Sequence, residues 1–288
     1  MYEYKNGVDK NMSARLIFFD IDGTLVAELS KPSVLTREAI KRTRAKGNKV
    51  FLSTGRNTAI IGDDILAIGF DGMVASAGGY VEAEGKVLFD NLLSEELIQE
   101  CLSVFHAQGV YCRIESPEGI YTDPQMEQLL KTAKTDKANS ELIRMQKEIE
   151  AGIDIRPYME YPRNGAYKIC FTATSLKAVE ATKYFLGDRF EYVVHPYGDA
   201  TSCFNGEIIR KGIDKGKGME RICQYYGADR KDTIAFGDSM NDYAMLVSAG
   251  VSIAMGNACE ELKRIADIVC EGVKEDGVYY QLERMNLL

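Results

Sequence analysis

Apolar residues near both ends of the chain arrive in short runs with no polar break. Leu16-Ile17-Phe18-Phe19 is the clearest, and a run without period-2 alternation predicts a strand covered on both faces, as in a parallel sheet, here over 15–19. Further strands are predicted over 49–53 and 72–76. Helical spacing lies between them, over 35–46, with Thr36 as the expected N-cap and Gly47 as the stop. The grammar returns late in the chain. A helix over 217–226 places Met219, Ile222, Cys223 and Tyr226 on one face. It is followed by a strand (232–236), a helix (242–249), a strand (251–255), a helix (260–266) and a short strand (268–270). Alternation of this kind predicts an α/β fold, a doubly wound parallel sheet.

Residues 83–197 have a different texture. After the charged turn Glu82-Ala83-Glu84-Gly85, Ser94 is placed to cap a helix through residue 108, with Glu95 and Glu96 at its positive end. Strands are predicted over 110–114, 167–171 and 191–195, and a helix over 176–186. The lysine- and glutamate-rich stretch 125–150 is expected to be an exposed helix. The middle therefore reads as an α+β insertion, 83–197, into a core built from 1–82 and 198–288. Asn205-Gly206 admits two readings, a hairpin turn or an irregular strand returning to the core.

Composition narrows the function. A net charge of -8 over 288 residues excludes nucleic acid or an anionic membrane as the main partner, since both need basic surface. Seven cysteines include no C-x-x-C pair, so neither a zinc site nor a thioredoxin-like motif is indicated, and reduced thiols in the cytosol are expected. Residues 1–13 are polar and no run approaches the roughly 18 apolar residues of a membrane helix, so a soluble, cytoplasmic protein is expected. Met12 offers an alternative start that would leave residues 1–12 as a tail.

Four segments fall at predicted strand ends or helix starts: Asp20-Ile21-Asp22-Gly23-Thr24-Leu25, Ser53-Thr54-Gly55-Arg56, Lys215, and Gly237-Asp238-Ser239-Met240-Asn241-Asp242. In an open parallel sheet these ends converge on one crevice. Two carboxylates one residue apart at the end of a buried strand raise each other's pKa unless a cation holds them. Phosphoryl transfer uses such residues. Asp20 can attack phosphorus and Asp22 can manage the protons of the leaving group and of the attacking water. A hard cation, Mg²⁺, would lie among Asp20, Asp22 and Asp238, with Asp242 placed to orient water around it. Thr54, Gly55, Lys215 and Asn241 supply donors for phosphate oxygens.

This set resembles the haloacid dehalogenase superfamily of phosphotransferases, and within it the Cof-type phosphatases with a type IIB cap. Asp20 through Leu25 looks like motif one, Thr54-Gly55-Arg56 like motif two, Lys215-Gly216 like motif three, and Gly237 through Asp242 like motif four. The resemblance implies a nucleophile at Asp20, an acid/base at Asp22, and magnesium held by the Asp20 carboxylate, the Asp22 carbonyl and Asp238. It also implies that the insertion is a cap that selects substrate. One departure is Ala77-Gly78-Gly79, where Cof-type chains often carry Asn-Gly-Ala, and this leaves substrate identity open.

Other patterns fail. The glycine- and lysine-rich 212–218 lacks the Gly-Lys-Ser/Thr of a P-loop, and the two histidines, His106 and His195, both fall in the predicted cap, away from any serine triad. Arg113, Tyr121 and Lys168 are candidate cap specificity residues. Three functions stay open: a Mg²⁺-dependent phosphatase of a small phosphorylated metabolite such as a sugar phosphate, a phosphomutase, and a non-catalytic phosphometabolite-binding protein.

Overall fold

The computed structural model describes residues 14–27, 30–125, 154–196 and 204–288. The tail expected over 1–12 lies outside these, as does the helix expected over 125–150 apart from Gln125. No helix among the described residues is long and apolar enough to cross a membrane.

Strand β1 (Leu16–Phe19) is wholly buried at the centre of an eight-stranded sheet. β2 (Lys49–Ser53) and β12 (Thr233–Gly237) flank it in parallel, and β3 (Gly72–Ala75), β13 (Val251–Ala254) and β14 (Ile268–Val269) extend the parallel set. Apolar side chains leave β1 on both faces because both faces are covered. Ile17 and Phe19 join the side packed against α1 (Val34–Ala45) and α8 (Gly277–Arg284), where Phe19 stacks on Phe236 at 4.9 Å. Phe18 joins the side packed against α5 (Lys215–Tyr226) and α6 (Tyr243–Ser248), stacked on Phe51 at 5.0 Å. Each ring withdrawn from water contributes roughly 1.5–3 kcal/mol. With β2 on one side of β1 and β12 on the other, the strand order reverses at β1, which puts a crevice at its carboxyl end.

Helix α1 is capped by Ser33, whose hydroxyl accepts from the Thr36 amide at 3.0 Å, and not by Thr36, which is buried within the helix. Gly47 follows its end at φ +89°, as expected of a stop. Two antiparallel strands that the sequence reading missed, β4 (Tyr80–Ala83) and β5 (Lys86–Asp90), complete the sheet edge, joined by a turn with Glu84 and Gly85 at positive φ.

The second sheet runs β10 (Phe190–Pro196), β11 (Phe204–Arg210), β9 (Lys168–Ala173), β6 (Tyr111–Ser116), β7 (Gly119–Thr122) and β8 (Ile155–Pro157), antiparallel except for the last pair. Its strands alternate. Cys112, Ile114, Ile169, Phe171 and Ile208 form one face, packed on α3 (Glu95–Ala107) and α4 (Leu176–Leu186). Arg113, Glu115, Lys168, Thr172, Asn205 and Glu207 occupy the other. The register fixes this: Glu115 lies opposite Lys168, Arg113 and Glu207 opposite Cys170, and Asn205 opposite Thr172.

Sheet membership moves both expected boundaries. β4 and β5 belong to the first sheet, so the division expected at 82/83 falls after Asp90, and β11 belongs to the second, so that expected at 197/198 falls after Arg210. The hairpin reading of Asn205-Gly206 is overturned, because both residues lie within β11, paired on one side to β10 and on the other to β9. Glycine is needed there for close packing: a Cβ on Gly206 would strike the Val193 carbonyl and the Phe171 ring.

Candidate active site

Asp20 follows β1, fixed by its amide donating to the Phe236 carbonyl at 3.1 Å, and is 4 % exposed. The side chain of Lys215, the first residue of α5, is fully buried beside it. Its ammonium has three N–H donors and three acceptors: Asp20 Oδ1 at 2.6 Å, Asp242 Oδ1 at 2.6 Å and Asn241 Oδ1 at 3.2 Å. Asp242 is likewise fully engaged, because its Oδ2 accepts from the amides of Asp238 and Ser239 at 3.0 and 3.2 Å. It orders the loop after β12 and holds Lys215 in place.

Asp238 completes a group of three carboxylates. Oxygens of Asp20, Asp238 and Asp242 lie within 4.8 Å of one another, with one ammonium among them. Burial, then the Asp242 charge, pushes Asp238 up to about 7 against the pull of Lys215. The same two causes push Asp20 well above its ordinary range, again opposed by Lys215. Burial would lower Lys215, but Asp20 and Asp242 more than offset it and hold the ammonium above its usual range. The site thus carries surplus negative charge in a buried place, and its donors are hard oxygens. That combination fits a hard divalent cation. Gly23, at φ +83°, is required beside it, since a Cβ there would collide with the Asp238 carboxylate. Asn257 ties the two loops, donating to the Gly23 carbonyl at 2.9 Å and to Asp238 Oδ2 at 3.4 Å.

The loop after β2 brings the donors expected for a phosphate. Thr54 is buried, and its hydroxyl accepts from the Arg56 amide at 3.1 Å. A methyl placed on Gly55 would lie 3.7 Å from Asn241 Nδ2 and 3.9 Å from Lys168 Nζ, so both groups converge above this glycine. Asn241 is oriented by its Oδ1, which accepts from Lys215 and from the Ser239 hydroxyl, leaving Nδ2 toward Gly55.

Asp22 stands apart. Its side chain is 52 % exposed and outside the carboxylate group, gripped by Arg56 through Nε at 2.8 Å and Nη2 at 2.5 Å. Its spacing from Asp20 is legible in sequence, whereas the arginine that holds it is not. Ala77-Gly78-Gly79 has its own task. Ser76 and Ala77 adopt φ of 50° and 53°, and Gly78 meets the backbone of Asp214, whose side chain caps α5, so this turn braces the helix that carries Lys215.

All of this opens on a cavity of about 780 Å³. Asp20, Asp22, Gly55, Arg56, Asp238 and Asn241 contribute to its floor, and the polar face of the second sheet is its roof, with Arg113, Glu115, Lys168, Asn205 and Glu207. Of the three cap residues singled out in the sequence, Arg113 and Lys168 line the cavity. Tyr121, opposite Ile114, lies on the apolar side of the sheet and takes a hydrogen bond from Arg156 at 3.0 Å. His106 pairs with Asp123 at 3.0 Å and is not among the lining residues. Asn257, Glu115 and Glu207 were missed; the two glutamates had a signal, the alternation in Arg113-Ile114-Glu115 and Asn205-Gly206-Glu207.

A parallel sheet with buried carboxylates at its reversal point and a second sheet over them is the arrangement of a hydrolase of the haloacid dehalogenase type, and the family model for haloacid dehalogenase-like hydrolases matches residues 17–282. The chain belongs to that family, among its Cof-type phosphatases, which are phosphoric monoester hydrolases. It is 26 % identical to phosphatase YwpJ of Bacillus subtilis, covering 94 % of this chain and 99 % of that one, and 27 % identical to an HMP-PP phosphatase of Yersinia pseudotuberculosis, covering 87 % and 86 %. Its fold matches that of a subclass IIB sugar phosphatase, BT4131, with a TM-score of 0.76 at 24 % identity, over 96 % of this chain and all of that one.

Proposed function

We propose that this protein is a Mg²⁺-dependent phosphatase that hydrolyses a small phosphorylated metabolite, such as a sugar phosphate, through an aspartyl-phosphate on Asp20. The observation that carries the reading is the placement of Asp20 in the cavity floor with only its Oδ1 engaged by the buried Lys215. Lys215 keeps the attacking carboxylate oriented and partly neutralised. An Asp20 oxygen forms a bond to phosphorus as the ester P–O bond breaks, and Asp22 protonates the departing oxygen. Water then attacks phosphorus and gives its proton to Asp22, the bond to Asp20 breaks, and inorganic phosphate leaves. The Thr54 hydroxyl, Gly55 amide and Asn241 Nδ2 donate to the transferring oxygens.

The cation would be held by the Asp20 carboxylate, the Asp22 carbonyl and Asp238, and would neutralise charge as a Lewis acid. Asp242 is given the supporting task, since its oxygens are taken by Lys215 and two amides. Asp22 must exchange its grip on Arg56 for the leaving group during turnover.

Asp20→Asn is expected to lower kcat on p-nitrophenyl phosphate with Mg²⁺ by at least about 10⁴-fold. Turnover at the parent rate would sink the mechanism. Hexose 1-phosphate should release inorganic phosphate; isomerisation to the 6-phosphate would make the protein a mutase instead.

A further inference from the structure

The roof of the cavity holds a charge arrangement that the phosphotransfer scheme does not use. Lys168 is 5 % exposed, on a sheet face whose partner strands place Glu115 directly opposite and Glu207 on the diagonal. Its ammonium donates to Glu207 Oε2 at 2.5 Å and lies 3.5 Å from Glu115 Oε2. Burial would lower its pKa, but the two glutamates more than offset this and keep it charged. A buried lysine needs a reason, because removing the ammonium from water is costly and its carboxylate partners pay the same penalty. The internal packing of the cap does not supply one, since its apolar core lies on the opposite face of the sheet.

Position supplies it. Lys168 Nζ stands 3.9 Å from where a Gly55 methyl would be, on the side to which Asn241 Nδ2 also points. An ammonium has three N–H donors, and the Glu207 and Glu115 contacts account for two at most, the second at 3.5 Å. Lys215, the cation of the floor, already has three acceptors and so is saturated. A phosphate dianion seated on the Gly55 amide therefore finds in the roof a cation with a donor to spare.

We propose that Lys168 binds the phosphoryl group itself, not the leaving group, and that this contact couples closure of the cap to occupation of the phosphate site. The inference rests on the phosphatase reading. Glu115 and Glu207 hold Lys168 in place above Gly55 while no phosphate is present, and the bound phosphate takes the remaining donor.

Inorganic phosphate, as a competitive product inhibitor of p-nitrophenyl phosphate hydrolysis, is the probe. Lys168→Met is expected to raise its Ki by about 10- to 100-fold, the worth of one hydrogen bond to a charged group. KM should rise by a similar factor for every monoester, whatever its leaving group. An unchanged Ki, or a KM effect that follows the leaving group, overturns the proposal. Lys168→Met/Glu207→Gln removes the closer of the two carboxylates that the single change would orphan and must give the same result. Independently of either variant, tungstate soaked into crystals of the parent protein should lie with an oxygen within about 3.2 Å of Lys168 Nζ. Tungstate seated at Gly55 with Lys168 turned away would contradict the proposal. Failure of the phosphatase reading would look different: no turnover by the parent enzyme at all.

Discussion

The two clusters of buried charge that face each other across the cavity are built on opposite plans. In the floor, Asp20, Asp238 and Asp242 share one ammonium, and every donor of that ammonium is spoken for. In the roof, Glu115 and Glu207 are matched by Lys168 and Arg113 on the same sheet face. The first cluster is therefore incomplete without a cation, whereas the second is close to neutral by itself. They also differ in origin. Floor residues sit on loops past strand ends, where glycines such as Gly23 allow close approach, while roof residues sit within strands, aimed by alternation. A floor of this kind suits chemistry that develops charge, and a roof close to neutral, with its side chains aimed by strands, suits recognition.

Removing the ammonium that the floor carboxylates share should break this contrast most severely. Lys215→Met leaves Asp20 and Asp242 buried against each other, and a loss of about 3–5 kcal/mol in chemical denaturation is expected together with loss of turnover. Unchanged stability would show that the floor carboxylates do not depend on Lys215.

Acidity sharpens the comparison next. Asp238 protonates near 7 in the folded protein and near 4 when unfolded, so between those pH values the folded state binds more protons. Stability of the metal-free protein from this group then falls as pH rises from about 4 to 7, and Asp20 acts in the same sense. A bound cation cancels the fall. Stabilisation by Mg²⁺ over chelator should accordingly grow as pH rises through about 7, by on the order of 1–3 kcal/mol once screening by solvent is allowed for. A difference in Tm that stays flat from pH 5 to 8 would contradict the surplus charge.

The roof gives the smallest effect. Glu115→Gln keeps the shape and leaves Lys168 its Glu207 partner. KM is expected to change by up to about tenfold, by different factors for different phosphate esters, with kcat on p-nitrophenyl phosphate altered least. Equal shifts for all esters would mean that Glu115 does not read the leaving group.

The two clusters were unequally legible in the sequence. The floor could be read because each piece stands at a predicted strand end or helix start, and such positions meet at one end of a parallel sheet. Arg56 was named with Thr54 and Gly55, but its hold on Asp22 escaped because it depends on two loops 34 residues apart. In the roof the strands around Arg113 and Lys168 were predicted, and their alternation was visible, but a polar face ordinarily meets water. That this one is buried depends on how the cap sits over the core, which local pattern does not encode. Asn205-Gly206 misled for a related reason: the pair favours a turn in isolation, and here the glycine yields to the Phe171 ring from the next strand. Ser33 took the cap position from Thr36 because Thr36 is needed inside the helix, packed and buried.

The central claim is a covalent bond between Asp20 and phosphorus, and Asp22→Asn makes it observable. p-Nitrophenolate leaves without a proton donor, so this variant should still load Asp20 but hydrolyse the acyl-phosphate slowly, lacking its base. Rapid-quench mixing with p-nitrophenyl phosphate and Mg²⁺ is expected to give a burst of about one nitrophenolate per protein, with hydroxylamine-labile phosphate on the peptide that contains Asp20. Linear release from the first turnover, with no label on that peptide and alkyl and aryl esters slowed alike, would contradict it.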